Sequence, residues 1–267
     1  MAQSAGSDKW HSGDAYERYM GRWSRQLAPR FLHWLQEPPG RRWLDVGCGT
    51  GALSAAILDS CAPRSVIGVD PSEGFLVTAK DRLGTAVALH RAAASELPLP
   101  DAAVDVAVSG LVLNFVPDAP AALREMARVT VDGGRVAVYV WDYAEKMDLI
   151  RLYWNAAAQL DPASQGQDQG ERFPLCRPDA LAAAFSSAGL REVAGSAIDL
   201  PMHFTDFDDY WRPFLGGQGP APAHAMSLDE ASRERLRSLI RERMPMQPDG
   251  TIHLAARAWA ARGVVAR

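Results

Sequence analysis

Between Arg42 and Val140 the chain repeats one pattern: a short apolar run, a turn, then a helical stretch. Trp43–Val46, Ser65–Val69, Ala86–Leu89, Val104–Val108 and Arg135–Val140 read as strands. Gly51–Leu58, Glu73–Leu83 and Ala119–Val129 read as the helices between them, with Asp132-Gly133-Gly134 as a turn. Strand–helix units in series imply a parallel sheet covered by helices on both faces. The fold class expected is therefore α/β, Rossmann-like.

The flanks read differently. Residues 1–14 are small and polar and are expected to be a flexible N-terminus. A helix is expected from Ala15 to Leu35, with Phe31, Leu32 and Leu35 on its apolar face, before Pro38-Pro39-Gly40 stops it. Beyond Trp141 the spacing predicts helices at Met147–Leu160, Pro178–Ala188 and Leu228–Arg243, a polar loop at Gln165–Glu171 and a sixth strand at Glu192–Ile198. Thr251–Val265 reads as a last strand, although its Ala-rich centre, Leu254–Ala261, is also compatible with helix. A single domain over 15–267 is expected, with cap segments at about 144–177 and 201–250.

Composition narrows the function classes. A net charge of −4 argues against a basic face for nucleic acid. Three cysteines without a C-x-x-C pair, and six histidines without H-E-x-x-H or H-x-H spacing, favour a reducing cytosol and give no metal site. No apolar run is long enough to span a membrane, and the N-terminus lacks the apolar core of a signal peptide. Monomer and homodimer are both compatible with the chain.

The chemistry concentrates in Asp45-Val46-Gly47-Cys48-Gly49-Thr50-Gly51, where the first strand turns into the first helix. Glycines there admit positive φ and close approach of a ligand to the backbone, and the helix N-terminus offers free N–H groups. Gly47, Gly49 and Ala52 also satisfy the dinucleotide pattern G-x-G-x-x-G/A. Asp70 ends the second strand about 20 residues further on, where a carboxylate accepts from ribose hydroxyls. That feature suits a nicotinamide cofactor as well. Asp45 discriminates: a carboxylate two residues before the first glycine can face the amino group of a methionine moiety.

The runs LDVGCGTGALS, VIGVDPSEGFL, ELPLPDAAVDVAVSGLVLNFVPD and ALREMARVTVDGGRVAVYVWDY, in this order, resemble the class I S-adenosylmethionine-dependent methyltransferases. The likeness is strongest to the branch of ubiquinone and menaquinone biosynthesis and small-molecule enzymes, and covers about residues 15–145. It implies a seven-stranded, mostly parallel sheet whose last strand inserts antiparallel. It also implies S-adenosylmethionine as cofactor and S-adenosylhomocysteine as product. Asp45, Gly47 and Gly49 would line the methionine end, with Cys48 between them as a small filler. Asp70 would hold the ribose. Pro71, Ser72 and Phe75 would border the adenosine, Ala94 and Ser95 the adenine edge, and Ser109 and Leu111 the methionine part. YERYMGRWS resembles the segment that folds over the cofactor, which makes Tyr16, Met20 and Arg22 candidates, Arg22 for the cofactor carboxylate. Many relatives carry an Asp at the adenine edge where this chain has Ala92-Ala93-Ala94.

The activity implied is transfer of a methyl group to an O, C or N atom of a small-molecule acceptor. Absence of an N-P-P-Y-type run and of a Pro-Cys nucleophile pair disfavours base methylation. Asp142 and His203 are the general-base candidates. Trp141 and Tyr143 are expected near the sulfonium, and the aromatic stretch from Phe204 to Trp211, with Arg212, over the acceptor. Two other readings share part of the pattern: a nicotinamide-dependent oxidoreductase, and a non-catalytic S-adenosylmethionine-binding regulator.

Overall fold

Five parallel strands come from the repeated region and set the ligand-binding end of the molecule. The computed structural model describes residues 17–217 and 219–267. The strands are β1 (Arg42–Val46), β2 (Ser65–Asp70), β3 (Ala88–Arg91), β4 (Val104–Gly110), β5 (Thr130–Trp141), β6 (Arg191–Phe204) and β7 (Ile252–Val264). They form one seven-stranded sheet in the order β3-β2-β1-β4-β5-β7-β6. β1 pairs in parallel with β2 and β4, and β4 with β5, whereas β7 runs antiparallel between β5 and β6. The strand order reverses between β1 and β4, so a crevice opens at their C-terminal ends. Open α/β sheets bind ligands at such a switch point.

Helices α1 (Arg22–Leu35), α2 (Ala52–Ser60), α3 (Glu73–Leu83), α4 (Ala119–Val129), α5 (Asp148–Leu160) and α6 (Pro178–Ser187) follow in chain order. In α1, Trp23, Leu27, Phe31 and Leu35 recur every fourth residue and are all buried. That single stripe seats the helix against α2 and β6. A π-helical turn, Glu17–Gly21, precedes α1, so the expected N-terminal helix is built of two unlike segments. Between β6 and β7 lie the short α7 (Phe207–Trp211), then α8 (Pro220–Ser227) and α9 (Glu230–Arg243). These pack with α5 over the β5–β7 side of the sheet.

Two expectations need correction, at β6 and at the polar loop, and one left open is settled. β6 extends to Phe204, so its last residues, 201–204, belong to the sheet. The Ala-rich centre of the final segment is strand, since β7 is hydrogen-bonded on both sides and pairing overrides alanine's helix preference. The polar loop at 165–171 folds into a 3-10 turn and a short helix, capped by Asp161 and Asp168. The N-terminus expected to be flexible, and Tyr16, lie outside the described residues.

Candidate active site

The turn from β1 into α2 can be made only with glycine at its key positions. Gly47, Gly49 and Gly51 have φ of +72°, +53° and +84°. A Cβ on Gly47 would lie 2.4 Å from Val112 Cγ1, and one on Gly51 would lie 2.6 Å from Leu83 Cδ1. The turn is thus pressed between the segment after β4 and helix α3. Gly47 and Cys48 N–H groups both donate to the Val69 carbonyl, at 2.7 and 3.0 Å, which ties the turn to the end of β2.

Asp70 joins the two sides of this crevice. One carboxylate oxygen accepts from Gly49 N–H at 3.0 Å and the other from Ser72 N–H at 2.8 Å. Each oxygen keeps a lone pair. The side chain is 6% exposed, and burial raises its pKa against the two N–H donors that lower it. Ser72 also N-caps α3 by accepting from Phe75 N–H. Pro71 is exposed, and Ser72 and Phe75 are half-buried beside it.

Asp45 is 1% exposed, with Oδ2 accepting from the Ser54 hydroxyl at 2.7 Å. Its Oδ1 is buried and has no partner among the described residues. Burial, reinforced by the charge of Asp70 and opposed by Ser54, pushes its pKa up to about 7. A buried, half-satisfied carboxylate is costly unless a donor completes it. The ammonium of a methionine moiety is such a donor, so the residues present fit the cofactor implied by the motif order.

Ser109 and Leu111 follow on the next strand. Ser109 is buried on β4, and Leu111 takes a left-handed φ of +63° while its N–H donates to the Tyr139 carbonyl at 2.8 Å. Ala94 is half-buried and Ser95 exposed in the loop after β3. Arg128 braces the next part of that loop, donating to the carbonyls of Leu97 and Leu99, while Glu125 accepts from Leu97 N–H.

The N-terminal segment bridges this crevice and the cap. Glu17 accepts from the Thr50 hydroxyl at 2.6 Å and pairs with Arg82 and Arg25. Met20 is buried. Arg22 turns the other way, toward the cap. Its Nη1 pairs with Asp209 at 2.8 Å, and its guanidinium lies over the rings of Trp23 and Phe204 at 4.3 and 4.7 Å.

The base candidates separate. Asp142 is buried just past β5; its Oδ1 accepts from Glu145 N–H at 3.1 Å, and its own N–H donates to the Arg257 carbonyl. His203 is not brought to the site. It lies on the exposed face of β6, the edge strand, with its ring 4.6 Å from that of its cross-strand partner His253. Its neighbour Phe204 points inward instead, because side chains alternate along a strand. Trp141, the last residue of β5, and Tyr143 just past it are buried, with Tyr143 5.8 Å from Phe173.

Sequence reasoning missed Asn114. It follows β4 in the turn Leu113–Phe115, and both polar atoms of its amide are buried without a partner among the described residues. Its signal was available only as position: the residue just past β4 at the switch point. The Glu17–Thr50–Arg82 link was missed too, although Glu17 lies within the YERYMGRWS run.

Among the described residues, no three potential metal ligands come together and no helix is long and apolar enough to cross a membrane. Residues 44–138 match the methyltransferase-domain family. A demethylmenaquinone methyltransferase of Bacillus licheniformis is 32% identical over 184 residues, which cover 63% of this chain and 78% of the relative. A malonyl-[acyl-carrier protein] O-methyltransferase of Serratia marcescens is 37% identical over 113 residues, 41% of this chain and 42% of that one. The fold also matches phosphoethanolamine N-methyltransferase 2 of Haemonchus contortus, solved with phosphomonomethylethanolamine and S-adenosylhomocysteine. That match has a TM-score of 0.59 at 14% identity, over 96% of this chain and 57% of the other. With these matches the nicotinamide reading falls away, and the chain belongs to the S-adenosylmethionine-dependent methyltransferase family.

Proposed function

We propose that this methyltransferase acts on a small, largely apolar acceptor held between the C-terminal ends of β4 and β5 and the aromatic cap. The observation that carries this reading is the cap itself. Tyr19, Tyr153, Tyr210 and Phe214 form a buried cluster, with Phe214 5.4, 4.8 and 5.3 Å from the three tyrosine rings. Such a roof suits a compact apolar molecule better than a nucleic-acid backbone. A relative named for a demethylmenaquinone substrate supports an acceptor of this general kind.

In this reading Asp45, Gly47, Cys48 and Gly49 hold the methionine end of the cofactor, with Ser109 and Leu111 beside it and Met20 above. Asp70 takes the ribose hydroxyls. Pro71, Ser72 and Phe75 border the adenosine, and Ala94 and Ser95 the adenine edge. Bound S-adenosylmethionine supplies an electrophilic methyl on a good leaving group. The chain's work is to align the acceptor in line with that methyl and to exclude water. Buried aromatic side chains such as Trp141 and Tyr143 also favour a cation nearby. Asn114 offers a donor and an acceptor at the same mouth and orients the reacting group. Where the acceptor carries a proton at working pH, Asp142 takes it, through the oxygen not engaged by Glu145. Three free cysteines support a reducing, cytosolic setting.

Incubation with methyl-labelled cofactor and a metabolite extract, followed by mass spectrometry, tests the reading. Label is expected in a small, organic-soluble product. Label confined to RNA or protein fractions would refute it.

A further inference from the structure

We infer that Arg22 and Tyr19 anchor a carboxylate on the acceptor, so that the enzyme selects acidic acceptors. The inference rests on the small-acceptor reading above and adds the chemical group recognised.

The starting point is which donors of Arg22 are spoken for. Nη1 is held by Asp209, whose other oxygen accepts from Thr205 N–H at 3.1 Å. That arrangement fixes the guanidinium in one orientation. Nε and Nη2 are buried and have no partner among the described residues. These two nitrogens form one edge of the guanidinium, and their N–H bonds run parallel. That edge matches the two oxygens of a carboxylate, which is the bidentate pairing at which arginine excels. The rings of Trp23 and Phe204, 5.2 Å apart, pack against the guanidinium together and hold it in place.

Tyr19 supplies a third donor. It precedes Arg22 by three residues and faces the same arm of the cap, with its ring edge-on to Phe214. The side chain is 3% exposed, and its hydroxyl is buried without a partner among the described residues. Its neighbours differ. Tyr210 donates its hydroxyl to the Leu149 carbonyl at 2.9 Å, and Tyr153 meets His224 Nδ1 at 2.7 Å. Buried donors left open in a native protein call for a partner. Three of them, on two side chains three residues apart, point to an acceptor-rich ligand group.

Location assigns that group to the acceptor. The partners of Arg22 come from α7, the end of β6 and α1, all on the cap side. The cofactor crevice lies at β1, β2 and β4, separated from β6 by at least the two strands β5 and β7. Asp209 already offsets the guanidinium charge, so a monoanionic carboxylate is better balanced here than a dianionic phosphate.

Benzoate and methyl benzoate are suitable probes of an aromatic pocket that reads a carboxylate. Both are titrated into the enzyme saturated with S-adenosylhomocysteine, with binding followed by calorimetry and by fluorescence of the tryptophans, Trp23 among them. Benzoate is expected to bind saturably, and its ester roughly tenfold or more weaker. Arg22→Lys, which keeps the charge but loses the fork, is expected to weaken benzoate by roughly tenfold. Tyr19→Phe is expected to weaken it by a smaller factor. Affinity for S-adenosylhomocysteine stays within about threefold in both variants. Circular dichroism melting checks that both fold. Equal binding of acid and ester, no saturable binding of benzoate, or an unchanged Arg22→Lys enzyme overturns the inference. So does a loss for S-adenosylhomocysteine that is absent for its decarboxylated analogue, because the fork then belongs to the cofactor. Failure of the wild type to bind S-adenosylhomocysteine would instead strike the reading on which this one rests.

Discussion

The two halves of the sheet are built by different means. On the β3-β2-β1-β4 side, the crevice is defined by backbone: positive-φ glycines, N–H groups on the Asp70 carboxylate, and a turn pressed against Val112. On the β5-β7-β6 side it is defined by side chains: stacked aromatics, buried ion pairs and a guanidinium edge without a partner among the described residues. The first construction suits one cofactor held by main-chain geometry. The second can change its ligand by changing side chains alone. The contrast explains why family membership is plain while the acceptor needs separate argument.

Substitutions that respect or cross this division should differ in kind. The largest effect is expected at Gly47. Gly47→Val needs a Cβ where Val112 stands, at a φ few β-branched residues adopt. Affinity for S-adenosylhomocysteine should fall by roughly 100-fold or more in calorimetry, because the turn must move. Undiminished binding would break the claim that the backbone defines this half.

Asp45 gives the next effect, and it carries a sign. Its folded pKa, about 7, lies above the ordinary value of 3.8. Folding therefore favours the protonated form. The apo protein should lose stability as pH rises from the unfolded toward the folded pKa, and level off above it. Cofactor binding works in the opposite direction, since an ammonium prefers the ionised carboxylate. Affinity should rise by up to about tenfold per pH unit below pH 7 and flatten above it, with proton release seen in buffers of differing ionisation enthalpy. Asp45→Asn should abolish both trends. A wild type whose affinity is flat across that range would contradict the pairing.

Asn114 tests the border, since it follows a cofactor-side strand yet carries unpartnered polar atoms as the cap does. Asn114→Ala should lower labelled-product yield from metabolite extract by about tenfold, with little change in S-adenosylhomocysteine affinity. The reverse split would move it to the cofactor side. The smallest effect belongs to the cap interior. Tyr153→Phe removes the buried bond to His224 and should cost about 1 kcal/mol in denaturant unfolding, leaving cofactor affinity unchanged.

The same division decided what could be read from the chain itself. Strand–turn–helix units with glycine and Asp at fixed spacing follow from local rules, and β1 to β5 with their helices lie where the pattern implied. Asp45 and Asp70 were legible because each occupies a position set by its own strand end. His203 was misread because a histidine's face depends on strand phase, and β6 was taken to end at Ile198 when it continues to Phe204. The Ala-rich stretch of β7 was ambiguous because its strand state comes from partners distant in sequence. Asn114 and the open edge of Arg22 are invisible without coordinates, since they are defined by missing partners.

The account rests on Asp70 holding the ribose across a crevice shaped by the glycine turn. Calorimetry of S-adenosylhomocysteine with wild type and Asp70→Ala measures this directly. Two hydrogen bonds to a charged acceptor, at about 1.5–3 kcal/mol each, lead to an expected loss of roughly 100-fold or more in the variant. Wild-type binding matched by Asp70→Ala would contradict the account.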